Sequence, residues 1–539
     1  MHRRGSRLAS AFAWAALAAC SSPGPRAAKA PTGATVGTGA PGATVGTGAR
    51  CDGGAEACVR QAEARIREQD SVGARALLTE LCERDQPEGC SALARLLDGG
   101  GPAVVDIAGA RAARDRGLAL WNERCDRQEW RACYALAVDL HQLSPDGVGT
   151  VAARLAAACK HDAGEACRYV GLLAEDGVGG PVSRAAATRF YGRACALAVG
   201  EGCFDLGLVL QDGKGTDPSD DERQAVAAFE AGCTLRHLPA CNDLALAWRE
   251  GRGAAVDTGK ALAMLEATCR AGHGLACFNA GVTYEQGTGV VIDLAAALRF
   301  YRDGCRAGSS DACAQQGHAL EEGRGTAIDL AASFAAYRQA CALEMASACV
   351  DVGRFLYAGR GVAEDEAAAA AYDRRACFLG DAAGCREMAN LHAWGTGVPA
   401  DATQRAWYAD RACTLGDQPS CGDVADAIDA TDPARARALR ERHCATRTEG
   451  YQRSCSGLGR MAEAGEGGRT DRDQARAAYE LACLPPIEGL MDMALSSDCE
   501  SAAALLAAGP PRPDLNTRTQ VLKARADAIR ARWGRPATP

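Results

Sequence analysis

CFNAGVTYEQGTGVVIDLAAALRFYRDGC, residues 277 to 305, is the stretch that decides the fold. Cys277 to Glu285 is long enough for about two turns of helix at ~3.6 residues per turn. Gly287 is expected to end that helix, because glycine enters the left-handed cap conformation without a Cβ penalty. Asp293 stands where an N-cap opens a second helix. Leu294 to Arg302 continues it, rich in alanine, the strongest helix former. Cys305 is expected to close it, the residues between to turn the chain, and Cys313 to open the next helix. The unit reads as helix, turn, helix.

Outward from this unit the same spacing recurs. Ten cysteine pairs lie eight residues apart: Cys82/Cys90, Cys125/Cys133, Cys159/Cys167, Cys195/Cys203, Cys233/Cys241, Cys269/Cys277, Cys305/Cys313, Cys341/Cys349, Cys377/Cys385 and Cys413/Cys421. From Cys233 to Cys413 the first members recur every 36 residues. Cys51/Cys58, Cys444/Cys455 and Cys483/Cys499 flank the array at irregular spacing. Apart from Cys20 this makes 26 cysteines, an even number, and a local spacing repeated so often predicts that neighbours pair as disulfides. Eight residues is not a zinc-finger spacing, so bridges are favoured over metal ligation.

Two glycines follow each second cysteine of the regular units, as in Gly177/Gly179, Gly213/Gly215, Gly251/Gly253, Gly287/Gly289, Gly323/Gly325, Gly359/Gly361 and Gly395/Gly397. A cap acid comes next: Asp257, Asp293, Asp329, Asp365 and Asp401. An aromatic follows near the end of the second helix: Phe300 and Tyr301, Tyr337, Tyr372, Trp407 and Tyr408. Four residues past the second cysteine the side chain is small (Gly207, Ala245, Gly281, Gly317, Gly353, Ala389), which predicts close approach of the two helix backbones. A fixed period of this length marks a stacked array with one continuous core. The expected class is all-α, an α/α superhelical solenoid whose helix pairs are disulfide-bridged.

The pattern Gly-x-Gly, Asp, alanine-rich helix, aromatic, Ala-Cys and a second cysteine eight residues on resembles the Sel1-like repeat. Its paired cysteines resemble the disulfide-rich branch of that family, as in the Helicobacter cysteine-rich proteins. The resemblance is closest over residues 159–421. Residues 51–158 read as irregular N-terminal repeats, and 422–539 as degenerate repeats ending in a capping helix over about 514–534. The family implies a concave groove and a scaffold or adaptor role toward other proteins. Some cysteine-rich members imply an alternative, a penicillin-binding or slow β-lactamase-like hydrolase; a haem or metal carrier is a more distant one.

The N-terminus reads as an address. Arg3, Arg4 and Arg7 precede the short apolar run Leu8 to Leu17, too short for a bilayer span, which needs about 20 apolar residues. Leu17-Ala18-Ala19-Cys20 resembles the lipobox of bacterial lipoproteins. Residues 1–19 are then a signal peptide, and Cys20 carries the lipid. Serine at position 21 resembles outer-membrane sorting. Residues 20–50 form a tether in which GATVGTGA occurs at 33–40 and again at 42–49, with a reach of roughly 30 Å. The expected location is the periplasm or outer membrane, where disulfides persist. The expected partner is an envelope protein or peptide, with the membrane engaged through the lipid.

A net charge of -8 gives no basic footprint for nucleic acid. Ser-x-x-Lys, Gly-x-Ser-x-Gly, His-Glu-x-x-His and Cys-x-x-Cys are absent from the sequence, so no catalytic, cofactor or metal residue is assigned. The repeated Gly-x-Gly reads as turn chemistry. His237 and His273 hold equivalent places in successive inter-helix loops and read as exposed loop histidines, a metal pair being the sharper alternative. One residue past the second cysteine the chain carries Phe204, Asn242, Phe278, Ala314, Val350 and Arg386; five residues past, it carries Leu208, Leu246, Val282, His318, Arg354 and Asn390. Such drift fits either a surface that reads an extended partner or freely varying exposed positions.

Overall fold

The computed structural model describes residues 54–67, 70–98, 106–143, 145–211, 218–446, 451–483, 495–507, 519–524 and 526–527. The signal segment, Cys20, the tether, Cys51, Gly213 and Gly215 lie outside these. Among the described residues the regular structure is helical, without strands. No described helix is long and apolar enough to cross a membrane.

By internal contacts the chain divides into two units, residues 1–312 and 313–539. In the first, the regular pairs are α1 (Gly164–Asp176) with α2 (Arg184–Ala196), α3 (Gly200–Gln211) with α4 (Pro218–Thr234), α5 (Leu238–Glu250) with α6 (Thr258–Arg270), and α7 (Gly274–Gln286) with α8 (Leu294–Arg306). Six further helices between Ala55 and Lys160 precede them. In the second unit, α9 (Leu330–Ala342) is followed by α10 (Ala346–Tyr357) paired with α11 (Glu366–Phe378), α12 (Ala382–Trp394) paired with α13 (Ala402–Thr414), α14 (Gln418–Ile428) paired with α15 (Pro433–Thr446), and α16 (Tyr451–Ala464) paired with α17 (Arg472–Ala482). Within each unit every helix packs on its neighbours in sequence, and first helices of successive pairs also touch, as α3 does α5 and α10 does α12. Residues 519–524 are helical, with Leu522 buried.

Capping explains where the second helices begin. Asp257, Asp293, Asp329, Asp365, Asp401 and Asp471 each accept the N–H of the residue three positions on, and Ser183 does the same. Each such cap is worth about 1 kcal/mol. At the other end, Gly177, Gly251, Gly287 and Gly395 take φ of 67–76° as C-caps. The second glycine of each pair does something else. A Cβ on Gly253 would stand 2.2 Å from the Glu222 carbonyl oxygen, and one on Gly397 would stand 2.3 Å from that of Glu366. At these two positions the glycine seats its loop against the start of the preceding pair's second helix.

The bridges join one pair to the next. Cys82–Cys90, Cys125–Cys133, Cys159–Cys167, Cys195–Cys203, Cys233–Cys241, Cys269–Cys277, Cys341–Cys349, Cys377–Cys385 and Cys413–Cys421 hold their Cα atoms 4.4–4.7 Å apart. Cys444–Cys455 and Cys483–Cys499 close at 4.9 and 5.0 Å. Cys58, Cys305 and Cys313 are likewise disulfide-bonded. Disulfides in such number persist in an oxidising compartment.

The place of the second cysteines is a correction to the sequence reading. They do not open their helices. Cys90, Cys133, Cys167, Cys203, Cys241, Cys277, Cys313, Cys349, Cys385 and Cys421 are each the fourth residue of a helix, one turn inside it. The turns are correspondingly shorter than the cysteine spacing suggests. Helix α6 runs through Cys269 to Arg270, and α7 begins at Gly274, so only Ala271, Gly272 and His273 lie between. The physical reason is the backbone of that link. Three residues after the first cysteine of each of the ten eight-spaced pairs the backbone has positive φ, which reverses the chain within three residues. Gly272, Gly308, Gly380 and Gly416 supply it in four repeats, and Asp85, Gln128, Asp162, Ala198, Arg236 and Glu344 in six.

Candidate functional site

The centre of each pair is filled by the residue four positions before the first cysteine of its bridge. In the first unit these are Leu78, Trp121, Leu155, Tyr191, Phe229, Leu265 and Tyr301, all buried. In the second they are Tyr337, Asp373, Ala409, Arg440 and Tyr479. The small residue on the first helix faces this position. A Cβ on Gly171, Gly207, Gly281, Gly317 or Gly459 would meet the ring of Tyr191, Phe229, Tyr301, Tyr337 or Tyr479 at 2.3–2.7 Å. The small position thus makes room for a ring, and the expected approach of bare backbones is corrected accordingly. At Ala245 and Ala389 the facing residue is alanine and the inward residue is Leu265 or Ala409.

A buried tyrosine needs a partner for its hydroxyl. It finds one sixteen residues earlier, on the first helix. Tyr191 donates to Glu175 at 2.6 Å, Tyr301 to Glu285 at 2.6 Å, Tyr337 to Glu321 at 2.9 Å and Tyr479 to Glu463 at 3.4 Å. Glu321 also accepts from Arg354 and Arg360. The Arg354 hydrogen bond, with those of Tyr337 and Arg360, draws its carboxyl down to about 2.

The next repeat inverts this pair. Tyr357 stands in the glutamate position on α10, and Asp373 in the tyrosine position on α11. Asp373 is 2% exposed, and its Oδ1 lies where it would meet a Cβ on Gly353 at 2.6 Å. Its buried Oδ2 has no hydrogen-bond partner, and neither has the buried hydroxyl of Tyr357. Burial pushes the Asp373 carboxyl up to about 8, and the charges of Glu387 and Asp381 add to it. Burial likewise raises the Tyr357 phenol, with Asp373, Glu387 and Glu366 contributing. At neutral pH Asp373 is held largely as the neutral acid, which both donates and accepts a hydrogen bond.

Arg440 is the second charged residue at an inward position, and its guanidinium is paired. It bonds Asp429 at 2.8 and 3.1 Å and Asp426 at 2.8 Å. Arg460 and Arg453 then take those same aspartates. Of the two charged centres, only the Asp373 carboxyl lacks an opposite charge.

Other expectations land differently. His237 and His273 are half-buried N-caps, a correction to the reading as exposed loop residues. His273 Nδ1 accepts the Ala276 N–H at 3.2 Å. The His237 ring lies 5.0 Å from that of Phe204. Burial lowers both imidazoles, and for His273 the neighbouring His237 adds to it. Among the described residues no group of three His, Cys, Asp or Glu side chains is placed to hold a metal ion. The drifting positions past the second cysteine are mostly half-buried, Arg354 excepted and Asn242 fully buried. Several bond the next repeat. Asn279 donates to Asn242 at 2.9 Å, Arg168 to Asp205 at 2.6 Å and Arg386 to Asp417 at 2.7 Å. Much of that variation is therefore repeat-to-repeat fitting. The aromatic row also shifts by one residue. Tyr372 is half-buried, and the inward place beside it belongs to Asp373. Counting back four from each cysteine would have found this.

No family model matches the chain, and no curated protein matches it. Among solved structures it is similar to c5321, a protective antigen of uropathogenic Escherichia coli displaying an SLR fold, at 16% identity and TM-score 0.41, over 86% of this chain and 98% of that one. It is similar to a Sel1 repeat protein from Oxalobacter formigenes at 21% identity and TM-score 0.43, over 56% and 88%. The immunity protein Pa5087 from Pseudomonas aeruginosa follows at 15% and 0.27, over 41% and 83%. At these low identities the architecture stands on the helix pairs described above.

Proposed function

We propose that the protein is a lipid-anchored scaffold of the cell envelope, a Sel1-like repeat protein of the disulfide-rich type that holds a protein or peptide along its array. The lipid at Cys20 and the tether to residue 50 place the body off a membrane surface, in the periplasm or at the outer membrane. The observation that carries the reading is an apolar side chain left in solvent at one fixed place of the repeat. The residue before the second-helix cap is Val182, Val256 and Ile292 in the first unit and Ile328 in the second, each 60–71% exposed. A Cβ on the C-cap glycine would meet that side chain at 2.7–3.0 Å in all four repeats, so its place is fixed by the turn. Single exposed apolar residues are ordinary; one fixed at the same place in four repeats supports contact with an extended partner.

The experiment is photo-crosslinking in the producing bacterium with benzoylphenylalanine at Val256 or Ile292. Asp303, exposed on the second helix, is the control site. The reading expects the same crosslinked species from the first two sites and none from the third. No crosslink from either site, or equal crosslinks from all three, contradicts it.

A further inference from the structure

We propose that the inverted pair Tyr357–Asp373 is a binding site for a primary ammonium group. In four other repeats the corresponding tyrosine and glutamate satisfy each other. Here the same two positions hold a carboxyl oxygen and a phenol oxygen, both buried and both without a partner. Leaving such groups unmet costs about 1–3 kcal/mol each, so a ligand that meets them recovers that cost. The chemistry selects the ligand. Tyr357 closes α10 and Asp373 lies within the paired α11, and each offers an unmet acceptor to a group that carries several donors. The charges acting on Asp373 are those of Glu387 and Asp381, and Glu366 acts on Tyr357, all of one sign. Among the described residues no arginine or lysine pairs with Asp373. An anion is repelled, and a neutral donor leaves the acidic surroundings uncompensated. Metal coordination lacks a third ligand among the described residues. An –NH3+ group supplies three donors and one positive charge. Its binding converts Asp373 to the carboxylate and releases that proton to solvent. The inference does not depend on the scaffold reading, since the site lies between helices of one repeat.

The test uses the whole oxidised chain and follows amide hydrogen exchange of peptides within 350–385 by mass spectrometry. The probe is ethylammonium chloride at 100 mM, against sodium chloride and tetramethylammonium chloride at the same concentration. A ligand of this size with a dissociation constant on the order of 10 mM slows local opening roughly tenfold at that concentration. The expected result is that slowing with ethylammonium alone. Asp373→Asn, which keeps shape and removes the charge, should abolish it. The double variant Tyr357→Glu/Asp373→Tyr rebuilds the pair of the sibling repeats. It should slow exchange without any amine and ignore ethylammonium. Nα-acetyl-lysine amide separates the two sources of the ammonium. Slowing by it as well assigns the site to a lysine side chain of a partner, and slowing by ethylammonium alone assigns it to a free small amine. Equal slowing by sodium or tetramethylammonium, an unchanged response in Asp373→Asn, or no slowing by either amine overturns the proposal.

Discussion

Replacing Gly281 by alanine tests the central packing rule of the repeat. On helix propensity alone the change should stabilise by about 1 kcal/mol. The geometry opposes it. The new Cβ would lie 2.5 Å from Tyr301 Cε1 and 2.7 Å from Cδ1. The ring is 1% exposed, and its hydroxyl is tied to Glu285, so it has nowhere to move. Overpacking of this kind costs about 1–3 kcal/mol, leaving a net loss of up to about 2 kcal/mol. Tyr301→Leu alone should cost about 2–4 kcal/mol in lost packing and hydrogen bonding. The double variant copies the natural pair Ala245/Leu265 of the preceding repeat. It should therefore lose less than the two single changes together, by about 1–3 kcal/mol of favourable coupling. Native-state hydrogen exchange over residues 274–306 is the assay, because long arrays melt without a single two-state transition. Additive losses, or a stabilising Gly281→Ala, refute the packing rule.

Three further outcomes follow from the same geometry. Gly272→Ala should destabilise its turn by about 1–2 kcal/mol and Ala198→Gly should stabilise the equivalent one, since both positions have positive φ and a Cβ on Gly272 meets nothing within 4 Å; local exchange rates of the two turns give the comparison. Removing the Cys269–Cys277 bridge by serine at both positions should cost roughly 2–3 kcal/mol in the chain-entropy account, read as faster exchange in α6 and α7 and little change in helices distant from the bridge. The Asp373 carboxyl titrates near 8 in the folded chain against an ordinary value of 3.8. The folded state therefore holds the extra proton between those values, so the contribution of Asp373 to stability is fully present below about pH 4 and is lost as pH rises toward 8. The change is on the order of a few kcal/mol. The charged groups acting on Asp373 are Glu387 and Asp381, with Tyr357 coupled to it, and Asp373→Asn should flatten the profile in α10 and α11.

The array was legible because its punctuation is chemical. Cap aspartates, C-cap glycines and the cysteine period each follow from a local rule, and Asp257, Asp293, Asp329, Asp365 and Asp401 cap their helices where the spacing places them. The turn positions at Ala198, Arg236 and Glu344 were not legible, because the short link between bridged helices forces a left-handed residue whatever its side chain. For the same reason Cys203, Cys241 and Cys349 sit a turn deeper in their helices than an eight-residue spacing suggests. The second glycine's task was hidden as well, since it answers to a helix about 30 residues earlier. The inverted pair was missed for another reason. An aspartate where tyrosine is usual looks like surface drift in a single repeat. Its meaning appears only when Gly353, Tyr357 and Asp373 are aligned with Gly281, Glu285 and Tyr301.

Disulfide mapping of the non-reduced protein, taken from the envelope of the producing bacterium and analysed by mass spectrometry after proteolysis, tests the account most directly. The account predicts links between neighbours only, including Cys305 to Cys313 and Cys51 to Cys58, and a first peptide that begins at a lipid-modified Cys20. Links that skip a repeat, free thiols along the array, or an N-terminus that retains residues 1–19 without lipid would contradict it.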